Sequence, residues 1–176
     1  WPTANADLNI SENKREETWR AMEEIYASGK AKAIGVSNYT IAHLEEMKSY
    51  AKVAPAVNQF EFHPFLYQRE LLDYCKEHNI TVEAHSPLAP IADPKSVGHE
   101  NTIIGEIAKN HNKTKAQVLI RWSIEHRAIP LPKSTHKERI EENLNVFDFQ
   151  LTKEEIETLN GLNINLHVRR DPTNLK

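Results

Sequence analysis

Four times along this chain, a short apolar run with strand character gives way to segments with helical spacing. That alternation constrains the fold more than any other feature. The strand-like runs cover residues 31–36, 57–62, 80–84 and 128–131. A helix precedes the first, with Thr18, Trp19, Met22, Ile25 and Tyr26 at helical spacing and Gly29 as a natural stop. Ile41, Leu44 and Met47 carry the helical stripe after the first strand, and Leu71, Leu72 and Cys75 the one after the second. After the third comes a loop from Ser86 to about Asn101, containing Pro87, Pro90, Pro94 and Gly98. A short helix with Ile103, Ile104 and Ile107 follows, then one with Val118, Leu119 and Trp122. Thr114 and Gln117 have capping-box spacing, as do Thr152 and Glu155. The last strand leads to a helix near residues 138–146 and a final helix with Ile156 and Leu159, ended by Asn160-Gly161. The tail to Lys176 is polar and irregular, and no domain boundary interrupts residues 1–176.

Strands separated by helical crossovers are parallel, because each crossover returns the chain to the same edge of the sheet. Two α/β geometries satisfy this. A (β/α)8 barrel takes about 250 residues, and four strand-helix units are half of one. An open doubly wound sheet usually announces itself by a glycine-rich first turn. This chain has five glycines and no G-x-G-x-x-G. The expected fold is the second half of a (β/α)8 barrel.

Bulk properties narrow the function. The net charge of -3 gives no basic surface suited to nucleic acid. No apolar stretch approaches the roughly 20 residues of a membrane span. Cys75 is the only cysteine, so a disulfide framework is absent, and a reducing, cytoplasmic compartment suits the chain. In its apolar phase Cys75 reads as a small core residue. The first residue is Trp1 and no signal peptide follows, which reads as a fragment or processed product. Nine histidines invite a metal reading, but none forms an i, i+4 helical pair or an H-E-x-x-H. His63 reads as a structural hydrogen-bonder. Glu61 and Glu83 lie on different strands, and no second motif supports a carboxylate pair for glycoside hydrolysis.

In a barrel, chemistry sits at the C-terminal ends of the strands. Those ends read Ser37-Asn38, Gln59 with Glu61 and His63, His85-Ser86, and Lys133-Ser134-Thr135. Each alone is an ordinary turn or cap. Together they put hydrogen-bonding groups at one topological level. Asn and Gln offer donor and acceptor to a carboxamide. Lys133, a helix start and Arg139 suit a phosphate, while Thr135 and Glu138 also have the spacing of a cap.

The segments "GKAKAIGVSNY" (29–39), "VNQFEFHP" (57–64), "VEAHSPLAP" (82–90) and "IPLPKSTHKERIEENLNVFDFQLT" (129–152) resemble the C-terminal half of an aldo-keto reductase, in family order and spacing. The resemblance implies a barrel enzyme that reduces a small aldehyde or ketone with NADPH. It implies that Ser37, Asn38 and Gln59 hydrogen-bond the nicotinamide carboxamide and that Ser86 and Leu88 lie along the pyrophosphate. Lys133, Ser134, Thr135 and Arg139 would hold the 2′-phosphate, and Glu142 and Asn143 would contact the adenine. Where the family usually stacks an aromatic ring, most often tyrosine, on the nicotinamide, this chain has His85, a smaller ring. The family's catalytic tyrosine, aspartate and lysine belong to its first half. Its catalytic histidine commonly precedes a Trp-Pro pair, which here is Trp1-Pro2. The resemblance therefore assigns cofactor residues to this chain and no catalytic ones. Two other readings stay open: a non-catalytic NADP(H)-binding subunit of the same fold, and another phosphate-binding barrel enzyme such as an isomerase or aldolase.

Overall fold

The computed structural model describes residues 12–92 and 100–168. Trp1-Pro2, Pro94 and Gly98 lie outside them. Helix α1 (Glu12–Ala27) precedes β1 (Gly35–Ser37), α2 (Ile41–Met47), β2 (Val57–Glu61), α3 (Arg69–Glu77) and β3 (Thr81–His85). Then come α4 (Ala89–Ala92), α5 (Glu100–Asn110), α6 (Lys115–Glu125), β4 (Ala128–Leu131), α7 (Lys137–Leu144) and α8 (Lys153–Asn160). The four strands form one parallel sheet in the order β1-β2-β3-β4, as the crossover argument requires. Among the described residues no helix is long and apolar enough to cross a membrane.

Strand β1 is shorter than its apolar run. Ladder pairing begins at Gly35↔Val57, and the last bond before it runs from the Ala56 amide to the Ile34 carbonyl. Before Ala56 stands Pro55, which has no N–H to donate. Residues 31–33 therefore have no strand to pair with. Gly35 is set by a close approach: a Cβ there would lie 2.8 Å from the Val57 carbonyl oxygen and 2.9 Å from the Val57 Cβ. Gly35→Ala is accordingly expected to cost about 1–3 kcal/mol, because the neighbour is backbone and cannot swing away. Urea unfolding measures it, and an unchanged midpoint would refute the close packing.

One face of the sheet points into the helices. Val36, Phe60, Val82, Ala84 and Ala128 are buried there against Leu72, Ile104, Leu119 and Trp122 from the helical layer. Cys75 belongs to this core, and burial pushes its thiol up to about 11, which keeps it protonated and inert. The other face carries the register rows Ser37–Gln59–Glu83–Ile129 and Glu61–His85–Leu131.

Capping matches the sequence in two places and departs from it in one. Thr114 with Gln117 and Thr152 with Glu155 are reciprocal capping boxes, and Thr40 with His43 makes a third. Thr135 and Glu138 do not cap α7. Its N-cap is His136, with no side-chain cap bond. The Ser134 hydroxyl instead closes a turn with the His136 amide at 3.2 Å. The span from Ser86 is also not one loop, because α4 lies inside it and α5 starts at Glu100. Helix α5 runs 11 residues, longer than its apolar stripe suggested.

Candidate cofactor site

The C-terminal ends of the strands bring the expected polar residues together. Asn38 (φ 60°) and Ser86 (φ 53°) both have left-handed backbones just past β1 and β3. That conformation is uncommon outside glycine, though asparagine tolerates it, and it turns the chain sharply at the rim. The Asn38 amide donates to the Gln59 carbonyl at 2.8 Å and the Ser37 hydroxyl to the same oxygen at 3.0 Å. The turn after β1 is clamped from below by Asn58, fully buried. Its Nδ2 donates to the Tyr39 carbonyl at 2.9 Å and its Oδ1 accepts from the Tyr39 amide at 3.4 Å.

His85 links two of these strand ends. Its Nε2 is 3.4 Å from Asn38 Oδ1, and its Nδ1 is 3.2 Å from Ser86 Oγ. A carbonyl oxygen only accepts, so this arrangement puts the proton on Nε2 and lets Nδ1 accept from the serine. Gln59 lies one row below the rim and donates from Nε2 to Glu83 Oε2 at 2.8 Å. That leaves its other amide hydrogen and its oxygen for a ligand.

From Ser86 the site continues as two adjoining cavities. One, of about 650 Å³, is lined by Ser86, Pro87, Leu88, Leu131, Lys133 and tail residues Leu166, His167 and Val168 among others. The second, of about 550 Å³, shares Leu88, Ala92 and Lys133 with the first and adds Ser134, Thr135, Arg139, Glu142 and Asn143. Ser86, Leu88, Lys133, Ser134, Thr135, Arg139, Glu142 and Asn143 line these two cavities, whereas Ser37 and Gln59 line a separate hollow and Asn38 another, with His85 bonded to both Asn38 and Ser86. Neither Lys133 nor Arg139 has a carboxylate or other hydrogen-bonding partner among the described residues. Lys137, on the same helix, is by contrast 3.7 Å from Glu141. The Glu142 carboxylate is already engaged, accepting from the Thr114 hydroxyl at 2.8 Å.

Three participants were not anticipated. The tail after α8 is irregular, as expected, yet pinned: the Ile164 and Leu166 amides donate to the Phe65 carbonyl at 3.3 and 3.0 Å, and the Val168 amide to Glu61 Oε1 at 3.0 Å. Glu61 also meets His63 Nε2 at 2.9 Å, with both side chains buried. His63 thus has the structural role read from its motif. Asn58 gave a partial signal, as a polar residue in the buried phase of β2. Gln117 showed only its cap.

Residues 1–164 match the Aldo/keto reductase family. The chain belongs to the aldo-keto reductase family. It is 47% identical over 158 residues to a 9,11-endoperoxide prostaglandin H2 reductase of Trypanosoma cruzi (strain CL Brener), covering 90% of this chain and 55% of that protein. A glyoxal reductase of Bacillus subtilis (strain 168) is 44% identical over 163 residues, covering 93% and 57%. Among solved structures, MGS-M4, an aldo-keto reductase enzyme from a Medee basin deep-sea metagenome library, superposes with a TM-score of 0.84 at 37% identity. That match covers 94% of this chain and 61% of the other. The chain spans about half the length of the curated relatives it matches. Its parallel sheet and helices correspond to part of the family's (β/α)8 barrel.

Proposed function

We propose that this chain supplies the NADP(H)-binding half of a carbonyl reductase. The observation that carries the reading is a pair of cations, Lys133 and Arg139, without a partner among the described residues and on one polar cavity beside the start of α7. A cation without a carboxylate partner is available to an anion, and two facing one cavity favour a doubly charged group such as a 2′-phosphate. NADP(H) has that phosphate and NAD(H) has a hydroxyl. The fit extends to the neighbouring cavity and strand ends. Leu88 and Ser86 line the adjoining cavity, where a pyrophosphate would lie. The free amide hydrogen and oxygen of Gln59, with Asn38 and Ser37, suit a carboxamide. Asn143 lines the far end, where adenine would lie.

When bound, NADPH supplies the hydride that reduces a carbonyl carbon. The work of this chain's residues is to bind and orient. Asn38 and Gln59 would hold the carboxamide and so restrain the orientation of the ring that carries it. His85 provides a flat surface beside them. Lys133 and Arg139 anchor the adenosine end. Protonation of the carbonyl oxygen belongs to the family's tyrosine, and none of the residues assigned here performs it. Both relatives named above are reductases, one of glyoxal, which supports a small carbonyl compound as substrate. A cytoplasmic location belongs to the same reading, since a chain with a single cysteine has no internal disulfide that would need an oxidising compartment.

NADPH fluorescence on titration with the purified chain tests the reading. Saturable binding with weaker NADH binding is expected, and no saturable binding would overturn it. Simple aldehydes added to the same mixture should give no turnover. Steady NADPH oxidation above a contaminant-free control would show that catalytic groups do lie in this sequence.

A further inference from the structure

Helix α7 carries three of the residues assigned to the adenosine end, yet little holds it. It has eight residues, none of them buried, and no side-chain cap at its N-terminus. A short helix of this kind is marginal by itself. It is held at the opposite end, from α6: Arg121 Nη1 donates to the Val146 carbonyl just past the C-cap at 3.2 Å, and Gln117 bonds to the helix itself. Gln117 is 5% exposed. Its Nε2 donates to the Glu142 carbonyl at 3.1 Å and to the Asn145 carbonyl at 2.9 Å. The Asn145 carbonyl is at the C-cap of α7, where a helix leaves carbonyls without internal partners, while the Glu142 carbonyl, in the last turn, also accepts from the Asn145 amide at 3.1 Å. The Gln117 Oε1 accepts from the Thr114 amide at 2.9 Å. Both amide hydrogens and the oxygen are therefore used. Thr114, the other half of that capping box, reaches α7 too, through Glu142 Oε1 at 2.8 Å.

Among the described residues there are three such capping boxes, at Thr40, Thr114 and Thr152. In the box at Thr114 the glutamine bonds the end of α7, and in the box at Thr152 the Glu155 carboxylate meets His111, just past α5, at 2.8 Å; only the first of these ties reaches the helix that carries Arg139 and Asn143. Helix α6 is itself rigidly placed, with Val118, Leu119, Ile120 and Trp122 buried. Gln117 thus ties an otherwise exposed helix to the core. Arg139 and Asn143 project from the tethered helix into the shared cavity.

We infer that Gln117 is a positioning residue for the phosphate-binding helix, setting the affinity for a 2′-phosphate without touching it. The inference rests on the NADP(H) reading above. Adenosine 2′,5′-bisphosphate is the probe, titrated calorimetrically into the full 176-residue chain well below its unfolding transition. Gln117→Met removes all three bonds. Gln117→Glu keeps the acceptor and the shape but not the two donors, so it serves if the methionine variant fails to fold. Either should weaken the probe roughly tenfold, the scale of two lost neutral hydrogen bonds. Faster amide exchange across residues 140–145 than in the unsubstituted chain should accompany it. Thr152→Ala breaks an equivalent capping box on α8, so it should lower stability and leave affinity unchanged.

Equal affinity losses in Thr152→Ala and the Gln117 variants would reduce Gln117 to a general stabiliser and overturn the inference. So would unchanged affinity in the Gln117 variants while Arg139→Met still weakens the probe, and in that case the NADP(H) reading would stand. If the unsubstituted chain does not bind the probe, the NADP(H) reading falls and takes the inference with it.

Discussion

Arg139→Met is expected to weaken NADPH binding roughly ten- to hundredfold and to leave NADH binding nearly unchanged. A charge-assisted hydrogen bond contributes about 1.5–3 kcal/mol, and each 1.4 kcal/mol or so is tenfold in affinity. Among the described residues the guanidinium has no competing carboxylate to satisfy, so its attraction for a phosphate is not offset there by a broken ion pair. Methionine keeps most of the unbranched stem and removes only the charge and the donors. Lys133→Met should act in the same direction, and more weakly, since an ammonium is a point charge without the planar fork that matches two phosphate oxygens. Lys133 also lines both cavities, so some loss for NADH is expected from it as well. The measurement is the pair of dissociation constants for each variant, at one stated ionic strength, because exposed charges are screened by salt. Equal losses for both cofactors in Arg139→Met would place the 2′-phosphate elsewhere.

The two halves of the site differ in how far the sequence disclosed them. The polar strand ends were legible as strand ends, because their residues are contiguous and sit where parallel strands must stop. Ser37-Asn38, His85-Ser86 and Lys133-Ser134-Thr135 each lie immediately after an apolar run. What holds those residues in place was not legible. Asn58 reaches Tyr39 across 19 positions, Gln117 reaches Glu142 across 25, and Glu61 reaches Val168 across 107. A polar contact of that span leaves no periodic trace, and a Gln at the third position of a helix is fully explained by its own cap. The misassigned cap of α7 has a related cause. Thr135 and Glu138 have the spacing of a capping box, but Ser134 closes a turn onto His136 and moves the helix start by one residue. Local hydrogen bonds of serine compete with capping in this way. Helix α4 escaped detection because Pro87 and Pro90 mimic loop punctuation. Proline is tolerated in a first turn, where its missing N–H has no partner to lose.

Acid should destabilise the folded chain through His126. The ring is 6% exposed, packed 4.5 Å from the Trp122 ring centroid and 4.9 Å from that of Tyr67. Its Nε2 lies 2.9 Å from Asn160 Oδ1, which also accepts from Trp122 Nε1 at 2.9 Å. The amide oxygen can only accept, so the neutral ring is held with its proton on Nε2. Burial disfavours a charge there, and it pushes the imidazole down to about 4 from its ordinary 6.5. The unfolded chain therefore takes up a proton on this residue that the folded chain refuses. Stability from His126 is complete above about 6.5, falls as the pH drops toward 4, and changes no further below that. The interval, at about 1.36 kcal/mol per pH unit, amounts to roughly 3 kcal/mol, a large share of the stability of a typical domain. His126→Gln retains a donor for Asn160 and cannot ionise. It should cost stability at neutral pH, through lost ring packing, while flattening the decline between pH 6.5 and 4.5. Comparing urea midpoints of the two chains at pH 7.5, 6.0 and 5.0 isolates this residue, since every other titrating group is common to both. Parallel declines in the two proteins would mean that His126 titrates as it does in water and that its ring is not sealed in the core.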